Sequence, residues 1–431
     1  MKLKRWRGAL AVCLMMGLIA ALAVMMTGFS DANADDGASE GVPRIYISLN
    51  NVTLEEINDG DKDAKHGGNE LVLWDGDTES YFEDVEIKGR GNITWEKEKK
   101  PYQIKFAQKV DFLGMGKARK WVLIAGYLDH SAIRTDLAFY LAHEVNPDYQ
   151  MDGRFVELYF DQEYIGLYYA TKAVEVDKNV VDLKDPEGVL VELDNAYCLM
   201  KDYSYRTFTG DCLTVKDLVN KDNFDIAFSN FVKDFEEFQK AAMKKDYEKI
   251  REIVDADSLA EYYLLSEFIG NLDAYITSFY FYKDGVSDKI HVGPAWDFDG
   301  AFGNLVWKGT TDEITAYSPE TIEPRRSQAF ENDDKKEATF VSKTVFEVSE
   351  LPEFQELVCQ KFQDTLLSKK IEIMGHIDSD ISYIDGVARL DNNKWGFDDF
   401  DESVYYLADW MTRRFDTFEK MCLPKVDSVA I

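Results

Sequence analysis

The spacing of apolar residues changes along the chain, and this change restricts the fold more than any other feature. Residues 101–106 alternate apolar and polar side chains, which is the period of a half-buried strand. Residues 154–160 and 164–170 are predicted to be the two strands of a hairpin, with residues 161–163 as the turn. Strands are therefore expected to dominate the first part of the chain.

The later part of the chain has a helical period instead. Four phenylalanines recur near helical spacing, at positions 228, 231, 235 and 238. Two long helices, over about residues 351–369 and 403–421, are predicted to finish the chain, and the polar residues 307–340 to form a mobile loop. Strands first and helices later, around a second small sheet, predict an α+β fold in two lobes and not a regular βαβ alternation.

The first 34 residues have the order of a secretory signal peptide. A basic start is followed by an apolar run from about Ala9 to Met26 and by the cleavage pattern Ala32-Asn33-Ala34. The alternative is an uncleaved membrane anchor, because the run reaches ~18 residues, the lower limit for spanning a bilayer. We predict cleavage, a small acidic linker over residues 35–42, and a protein that is secreted or held at the cell surface.

The charge of the mature chain excludes some classes of partner. Removal of residues 1–34 takes four basic residues from 49 and one acidic residue from 80, which leaves a net charge of −34. Such a chain is poorly suited to nucleic acid or to an anionic membrane surface, both of which require Lys and Arg. The charge suits a soluble extracellular protein, expected here to be a monomer, and a basic partner is the alternative interpretation.

Four cysteines remain after cleavage, and four cysteines allow three pairings. Cys198 and Cys212 are near in sequence, whereas Cys359 and Cys422 both lie in the C-terminal helical region. These two pairs are the predicted disulfides. No Cys/His spacing in the sequence indicates a zinc site.

A glycine-bearing turn between two predicted strands is the first segment that could carry chemistry. Gly89 and Gly91 flank Arg90, and further basic residues follow at positions 97, 99, 100 and 105. Such a turn lets backbone N–H groups approach a phosphate, although a plain tight β-turn explains the glycines equally well. Lys105 alternates with apolar neighbours, so it is predicted to face away from the core, on the side where a nucleotide could lie.

Three aspartates lie in apolar surroundings farther along the chain. Asp273 follows a predicted helix and precedes a predicted strand, and a carboxylate there must be paired, coordinated or exposed in a cleft. Asp297 and Asp299 lie two residues apart among aromatics and glycines, and in a strand both would point to one face. Two such carboxylates repel each other unless a cation lies between them, and Mg²⁺ shared with substrate phosphates is the natural candidate. Helix caps or exposed acidic turns are the alternatives.

Five segments, read in order, resemble the CotH (spore coat protein H) family. They are RGNITW with KKPYQIKF, GKARKWVLIAGYLDHSAIRTDLAFYLA, FVELYFDQEYIGLYY, GNLDAYITSFYFYKD and PAWDFDGAFG. These segments lie between residues 90 and 303, and the resemblance covers about residues 43–305. The resemblance implies one kinase-like domain over residues 43–425, with a strand-rich N-lobe over about 43–175, a helical C-lobe over about 176–425 and nucleotide between the lobes. It also implies transfer of the ATP γ-phosphoryl group to Ser or Thr of a protein, with Mg²⁺ or Mn²⁺.

The resemblance also implies roles for individual residues. Asp273 matches the aspartate that orients or deprotonates the acceptor hydroxyl, and Asp297 matches the aspartate that holds metal, with Asp299 as its rival. Phosphate contacts are assigned by the same resemblance to Arg90, Lys100 and Lys105. A kinase catalytic loop has a metal-binding Asn five residues after its Asp, where this chain has Ser278, a poorer ligand.

Two functions from different classes follow from these residues. The first is an extracellular protein kinase, whose acceptor is expected to be basic and rich in Ser or Thr. The second is a non-catalytic surface or matrix protein that keeps the fold, which the serine at position 278 favours. A glycan-binding module, suggested by the 13% aromatic content, is a weaker third alternative because most aromatics lie at core-like spacing.

Overall fold

The computed structural model describes residues 41–198, 203–304, 307–308, 313–314, 317–331 and 341–423. Its first part is a closed barrel of seven strands in the order β1-β2-β3-β4-β5-β7-β6, and β1 closes the barrel by pairing parallel to β6. The strands are β1 (Arg44–Ser48), β2 (His66–Asp75), β3 (Thr78–Gly89), β4 (Tyr102–Asp111), β5 (Lys117–Ile124), β6 (Gly153–Phe160) and β7 (Glu163–Lys172).

The barrel encloses its own apolar core because side chains alternate along each strand. On β4, Tyr102, Ile104 and Phe106 are buried, whereas Lys105 between them is half-buried, as its alternation predicts. The predicted hairpin of β6 and β7 is confirmed. Its two turn residues, Asp161 and Gln162, both have positive φ, which matches the right-handed twist of the flanking strands.

Two helices belong to the first part of the chain, α1 (Leu54–Asp59) and α2 (Arg134–Val145). Asp129 precedes α2, and its carboxylate accepts hydrogen bonds from the backbone N–H groups of Ser131 and Arg134. The side chain of Arg134 also pairs with Asp129. The helix therefore begins at Arg134, and the carboxylate of Asp129 fixes its start.

A second sheet and most of the helices follow. The sheet has the order β12-β11-β8-β10-β9, and a separate pair joins β13 to β14. The strands are β8 (Val189–Leu193), β9 (Ser204–Arg206), β10 (Cys212–Leu218), β11 (Phe279–Lys283), β12 (His291–Val292), β13 (Trp307–Lys308) and β14 (Glu313–Ile314). The helices are α3 (Phe224–Met243), α4 (Tyr247–Ile253), α5 (Ala256–Ile269), α6 (Arg326–Glu331), α7 (Thr344–Ser349), α8 (Pro352–Phe362), α9 (Lys370–Trp395) and α10 (Phe400–Cys422).

Both predicted disulfides are confirmed. One joins Cys198 to Cys212, and the other joins Cys359 on α8 to Cys422 at the end of α10. The second pair ties two helices together through cysteines that are 63 positions apart in the sequence. Its loop closure removes more conformational freedom from the unfolded chain than that of the first pair, whose separation is 14 residues.

Helix α9 also contacts the barrel directly. Asp391 of α9 accepts a hydrogen bond of 2.7 Å from the Nζ of Lys99, which lies just before β4, and one of 3.0 Å from the backbone N–H of Leu167 on β7. Lys99 is only 2% exposed. A Cβ at Gly166 would lie 2.3 Å from an oxygen of Asp391, so only glycine allows this approach of helix and strand.

The α+β class with strands first and helices later is confirmed. The expectation of a mobile loop over residues 307–340 is wrong where the structure describes that segment, because α6 lies within it and the adjacent Arg325 is buried. The predicted signal peptide (1–34) and linker (35–42) lie outside the described residues, except for residues 41 and 42. Within the described ranges, no helix has the length and apolarity needed to cross a membrane.

Candidate functional site

Three carboxylates, those of Asp273, Asp297 and Asp299, form an acidic cluster beside the second sheet. Asp273 lies in the connection from α5 to β11, and the other two lie in the segment that follows β12. Each is only partly exposed. The sequence singled out all three, and the structure places them close enough to influence one another's protonation.

The segment that carries Asp297 and Asp299 is not a strand. The sequence left open a strand, in which both carboxylates would point to one face, and an exposed acidic turn; the structure excludes the strand, because β12 ends at Val292. Asp297 has a φ of 70°, in the left-handed region that non-glycine residues adopt at a cost. Ser278 also lies there, with a φ of 51°, and its hydroxyl donates a hydrogen bond of 3.0 Å to Asp297. Two backbone segments are thus held in uncommon conformations at their point of contact.

The connection that carries Asp273 is fixed by its own polar contacts. Helix α5 ends at Gly270, whose left-handed conformation turns the chain out of the helix. Asn271 then accepts a hydrogen bond of 3.1 Å from the backbone N–H of Asp273. The buried Arg325 donates to the carbonyl oxygen of Leu272 at 2.8 Å, which brings a guanidinium beside the Asp273 carboxylate.

The carboxylates hold protons more strongly than ordinary aspartates. Burial raises the pKa of Asp273 to about 7, and the negative charges of Asp297 and Asp299 add to this shift, whereas Arg325 opposes it. Burial likewise raises the pKa of Asp299 to about 7, with further contributions from Asp297 and Asp129, against the opposing effect of Arg90. Burial is therefore the main reason that these two carboxylates keep their protons to a higher pH, and the neighbouring arginines only partly offset it.

Arg90 is the basic residue from the glycine-bearing turn that reaches the acidic cluster. Its guanidinium lies 5.4 Å from the centroid of the Trp296 ring. Burial lowers the pKa of Arg90, and the carboxylates of Asp297 and Asp299 oppose this effect. The turn is also joined to the second sheet region, because Asn92 hydrogen bonds with Tyr197. This arrangement places the positive charge of Arg90 beside Asp297 and Asp299.

The two lysines predicted to contact phosphates lie elsewhere in this conformation. Lys100 donates to the carbonyl oxygens of Trp95 and Lys97, at 2.7 and 3.4 Å, and lies over the Trp95 ring. Lys105 forms an ion pair of 3.5 Å with Glu86 on the neighbouring strand. The structure thus brings Arg90, Ser278 and the three aspartates together, and it engages Lys100 and Lys105 with residues of the barrel region.

A comparison with known protein families matches residues 87–418 to the family described as CotH kinase protein. The chain belongs to the CotH kinase family. The match includes every residue of the acidic cluster, Arg90 and Ser278, so the site lies inside the part of the chain that defines the family. A comparison with curated protein sequences gives no match.

Sequence reasoning missed two charged residues of this CotH site. Arg325 lies in the polar segment predicted to form a loop, and Asp129 lies just before α2, so neither residue is among the site residues predicted from the sequence. Asn304 joins the loop that contains Asp129 to the acidic cluster, since its side chain donates 2.9 Å hydrogen bonds to the carbonyl oxygens of both Leu128 and Asp299. The only sequence signal for Arg325 was a pair of adjacent arginines in a strongly acidic chain.

Asp297 and Asp299 are the residues of this CotH site that could hold a divalent cation. Carboxylate oxygens are the ligands that Mg²⁺ and Mn²⁺ prefer, and a cation would offset both the burial of Asp299 and the negative charge of Asp297, which together raise the pKa of Asp299. The donor set therefore fits such an ion. Ser278 is less free to act as a ligand, because its hydroxyl already donates to Asp297.

Raised pKa values predict a specific pH dependence of stability in the absence of divalent cations. The folded state holds protons on Asp273 and Asp299 up to pH about 7, whereas the unfolded chain releases them near 3.8. Their contribution to the free energy of unfolding is therefore fully present below pH about 4 and is lost as the pH rises through about 7. In EDTA, we expect urea unfolding of the Asp299→Asn variant to show a smaller loss of stability over this range than the parent chain. An equal slope would contradict the raised pKa of Asp299.

Proposed function

We propose that this CotH protein is a secreted, metal-dependent kinase that transfers the γ-phosphoryl group of ATP to Ser or Thr of an extracellular or surface protein. The observation that carries the proposal is the partly buried acidic cluster with Arg90 beside it, in a chain that belongs to the CotH kinase family. Phosphoryl transfer requires mainly positioning and charge neutralisation, and this cluster offers both.

The proposal includes a kinase-like arrangement of the fold. The seven-stranded barrel with α2 would form most of an N-lobe, the second sheet with the later helices would form a C-lobe, and ATP would lie between them. Arg90 and the acidic cluster support this arrangement, because Arg90 follows the barrel strand β3 whereas the aspartates flank strands of the second sheet. Lys100 and Lys105 keep their predicted roles as phosphate contacts and would exchange their present partners for phosphate oxygens.

Each aspartate has its own part in the proposed reaction. Asp273 accepts the proton of the acceptor hydroxyl, whose oxygen forms a bond to the γ-phosphorus while the bond from that phosphorus to the β–γ bridging oxygen breaks and ADP leaves. A pKa of about 7 suits a general base at neutral pH. Asp297 and Asp299 hold Mg²⁺ or Mn²⁺, which would neutralise the phosphate charge. Ser278 keeps Asp297 in position and completes the predicted ligand set.

Arg90 should contribute to nucleotide binding through its charge. The Arg90→Gln variant is expected to bind ATP about 10- to 100-fold more weakly, because hydrogen bonds to charged groups contribute about 1.5–3 kcal/mol. Isothermal titration with the non-hydrolysable analogue AMP-PNP and Mg²⁺ measures the change. Lys88→Gln is the matched control, because Lys88 is two residues away and pairs with Asp63 at 2.8 Å. Similar affinities for the two variants would contradict the assignment of Arg90.

Incubation of the chain with Mg²⁺ or Mn²⁺ and γ-labelled ATP tests the proposed function. We expect label on the chain or on an added basic, Ser-rich protein, with no transfer when EDTA is present. The net charge of −34 expected for the mature chain favours a basic acceptor. Absence of label under all these conditions would contradict a kinase.

A non-catalytic CotH protein is the second candidate, and the hydrogen bond from Ser278 to Asp297 favours it. Where a kinase has an asparagine that binds a second metal ion, this chain has a hydroxyl that is already engaged. A thermal-shift measurement separates a kinase from a pure scaffold. ATP with Mg²⁺ should raise the melting temperature of a kinase, whereas a scaffold without a nucleotide site should show no shift.

A further inference from the structure

A second group of titratable side chains joins helices α2 and α9, away from the residues assigned to phosphoryl transfer. Asp136 lies on α2, and His376 and Asp380 lie one turn apart on α9. The Nε2 atom of His376 is 2.8 Å from an oxygen of Asp136 and 3.3 Å from Oδ2 of Asp380. We refer to these three residues as the helix-bridging cluster.

The helix-bridging cluster has fewer hydrogen-bond donors than its carboxylates require. The Nε2 atom of a histidine carries at most one proton, and the bond to Asp136 uses it. Oδ2 of Asp380 is buried and accepts no hydrogen bond, and the whole residue is only 8% exposed. Two carboxylates held together beside an imidazole repel each other unless a cation or a proton lies between them.

Neighbouring aromatic residues hold the helix-bridging cluster in place. The hydroxyl of Tyr169 donates a hydrogen bond of 2.8 Å to the other oxygen of Asp136. The ring of Tyr140 stacks on the ring of His376, with 3.9 Å between centroids. Support of this kind, which fixes the orientation of each ligand from behind, is characteristic of protein metal sites.

We propose that Asp136, His376 and Asp380 bind a divalent transition-metal ion such as Zn²⁺. One imidazole nitrogen and two carboxylate oxygens form a usual ligand set for such ions. The three ligand atoms lie within 4.8 Å of one another. Bonds of about 2.0–2.2 Å in a tetrahedral site separate ligand atoms by about 3.3–3.5 Å, so a small outward movement of His376 from Asp136 accommodates the ion. Partial exposure of His376 leaves room for a water molecule as the fourth ligand.

The ion would fasten α2 to α9 and so support the acidic cluster at a distance. Phe139 on α2 contacts the rings of Trp296 and Phe298, with centroid separations of 6.0 and 5.2 Å. These two residues flank Asp297 in the chain. Zn²⁺ therefore has a structural role in this proposal, and its binding does not depend on whether the protein transfers phosphate.

Zinc titration of a chain that lacks the other candidate metal site tests this inference. In the full chain with Asp297→Asn and Asp299→Asn, we expect calorimetry to detect one tight Zn²⁺ site. Adding Asp380→Asn or His376→Gln should weaken that site about 100-fold, because each change removes a ligand. Asp378→Asn is the matched control, since Asp378 is an exposed carboxylate on the same helix. Equal Zn²⁺ affinity in the Asp380→Asn and Asp378→Asn variants would overturn the proposal.

Cobalt spectroscopy provides a readout that requires no change in the helix-bridging cluster. Co²⁺ added to the same Asp297→Asn/Asp299→Asn chain should give visible absorption bands of a four-coordinate nitrogen and oxygen site, and one equivalent of Zn²⁺ should remove them. If neither the bands nor tight Zn²⁺ binding is observed, a proton shared by Asp136 and Asp380 occupies the position, and the metal site does not exist.

Discussion

Asp273→Asn is expected to lower phosphoryl transfer about 10²- to 10⁴-fold, which is the usual contribution of a general base, while the affinity for ATP changes little. The amide keeps the size of the side chain but cannot accept the proton of the acceptor hydroxyl. Asp273 is also held by its own loop through Asn271, so the substitution leaves the neighbouring Asp297 loop in place. Single-turnover transfer from γ-labelled ATP, together with calorimetric titration of AMP-PNP, measures the two effects separately.

Asp297→Asn should lower the affinity for nucleotide. Loss of a metal-binding carboxylate is expected to weaken Mg²⁺-dependent binding of AMP-PNP at least about tenfold, and transfer falls with it. Asp225→Asn, at an exposed aspartate in the first turn of α3, controls for the loss of one negative charge. If Asp273→Asn and Asp297→Asn reduced nucleotide affinity equally, or retained equal residual activity, the division of roles between the two aspartates would be wrong.

Asp391→Ala is expected to destabilise the protein by about 3–5 kcal/mol, the cost typical of leaving one member of a buried ion pair without its partner. Lys99 is 2% exposed, and burial lowers its pKa, so its ammonium group has no access to water that could replace the lost carboxylate. The same change removes the acceptor for the backbone N–H of Leu167. The midpoint and slope of urea unfolding give the free energy directly.

Asp385→Ala on the same helix provides the matched control for this prediction. Asp385 pairs with Arg389 at 3.0 Å, but its side chain is 49% exposed. Exposed pairs contribute about 0–1 kcal/mol, so this variant should remain close to the parent in stability. A loss for Asp391→Ala that is no larger than for Asp385→Ala would mean that Lys99 finds another partner or releases its proton.

The elements that could be predicted from the sequence are those whose signal is local. The β6–β7 hairpin was predicted because its strands and turn are contiguous in the chain. The alternation on β4 placed Lys105 away from the core because one face of a strand is read directly from every second residue. The three aspartates were found for a similar reason, since each is a charged residue in an otherwise apolar stretch.

Helix α9, in contrast, was missed over almost its whole length. It runs from Lys370 to Trp395, whereas the sequence suggested a helix that ends near residue 369. Two glycines, Gly375 and Gly386, lower its helix propensity, and much of its surface is polar. Its stability comes from tertiary contacts such as the pair of Asp391 with Lys99, which no local pattern reveals.

The acidic cluster was only partly predictable, because it too depends on tertiary contacts that no local pattern reveals. The left-handed conformation of Asp297 accompanies a tertiary contact with Ser278, so the sequence alone could not decide between a strand and a turn. Arg325 and Asp129 approach Asp273 and Asp299 through folding of segments far apart in the chain. Lys100 and Lys105 were assigned by position alone, and their phosphate contacts stay predictions.

The ion pair of Lys99 with Asp391 can form only late in the synthesis of the chain. The two residues are 292 positions apart, and ribosomes add about 5–20 residues each second, so about 15–60 s pass between their synthesis. During that interval the ammonium group of Lys99 lacks its carboxylate partner, and the carbonyl oxygen of Leu167 on β7 is the hydrogen-bond acceptor already synthesised. The buried ion pair between the barrel and α9 therefore forms only after α9 has been synthesised.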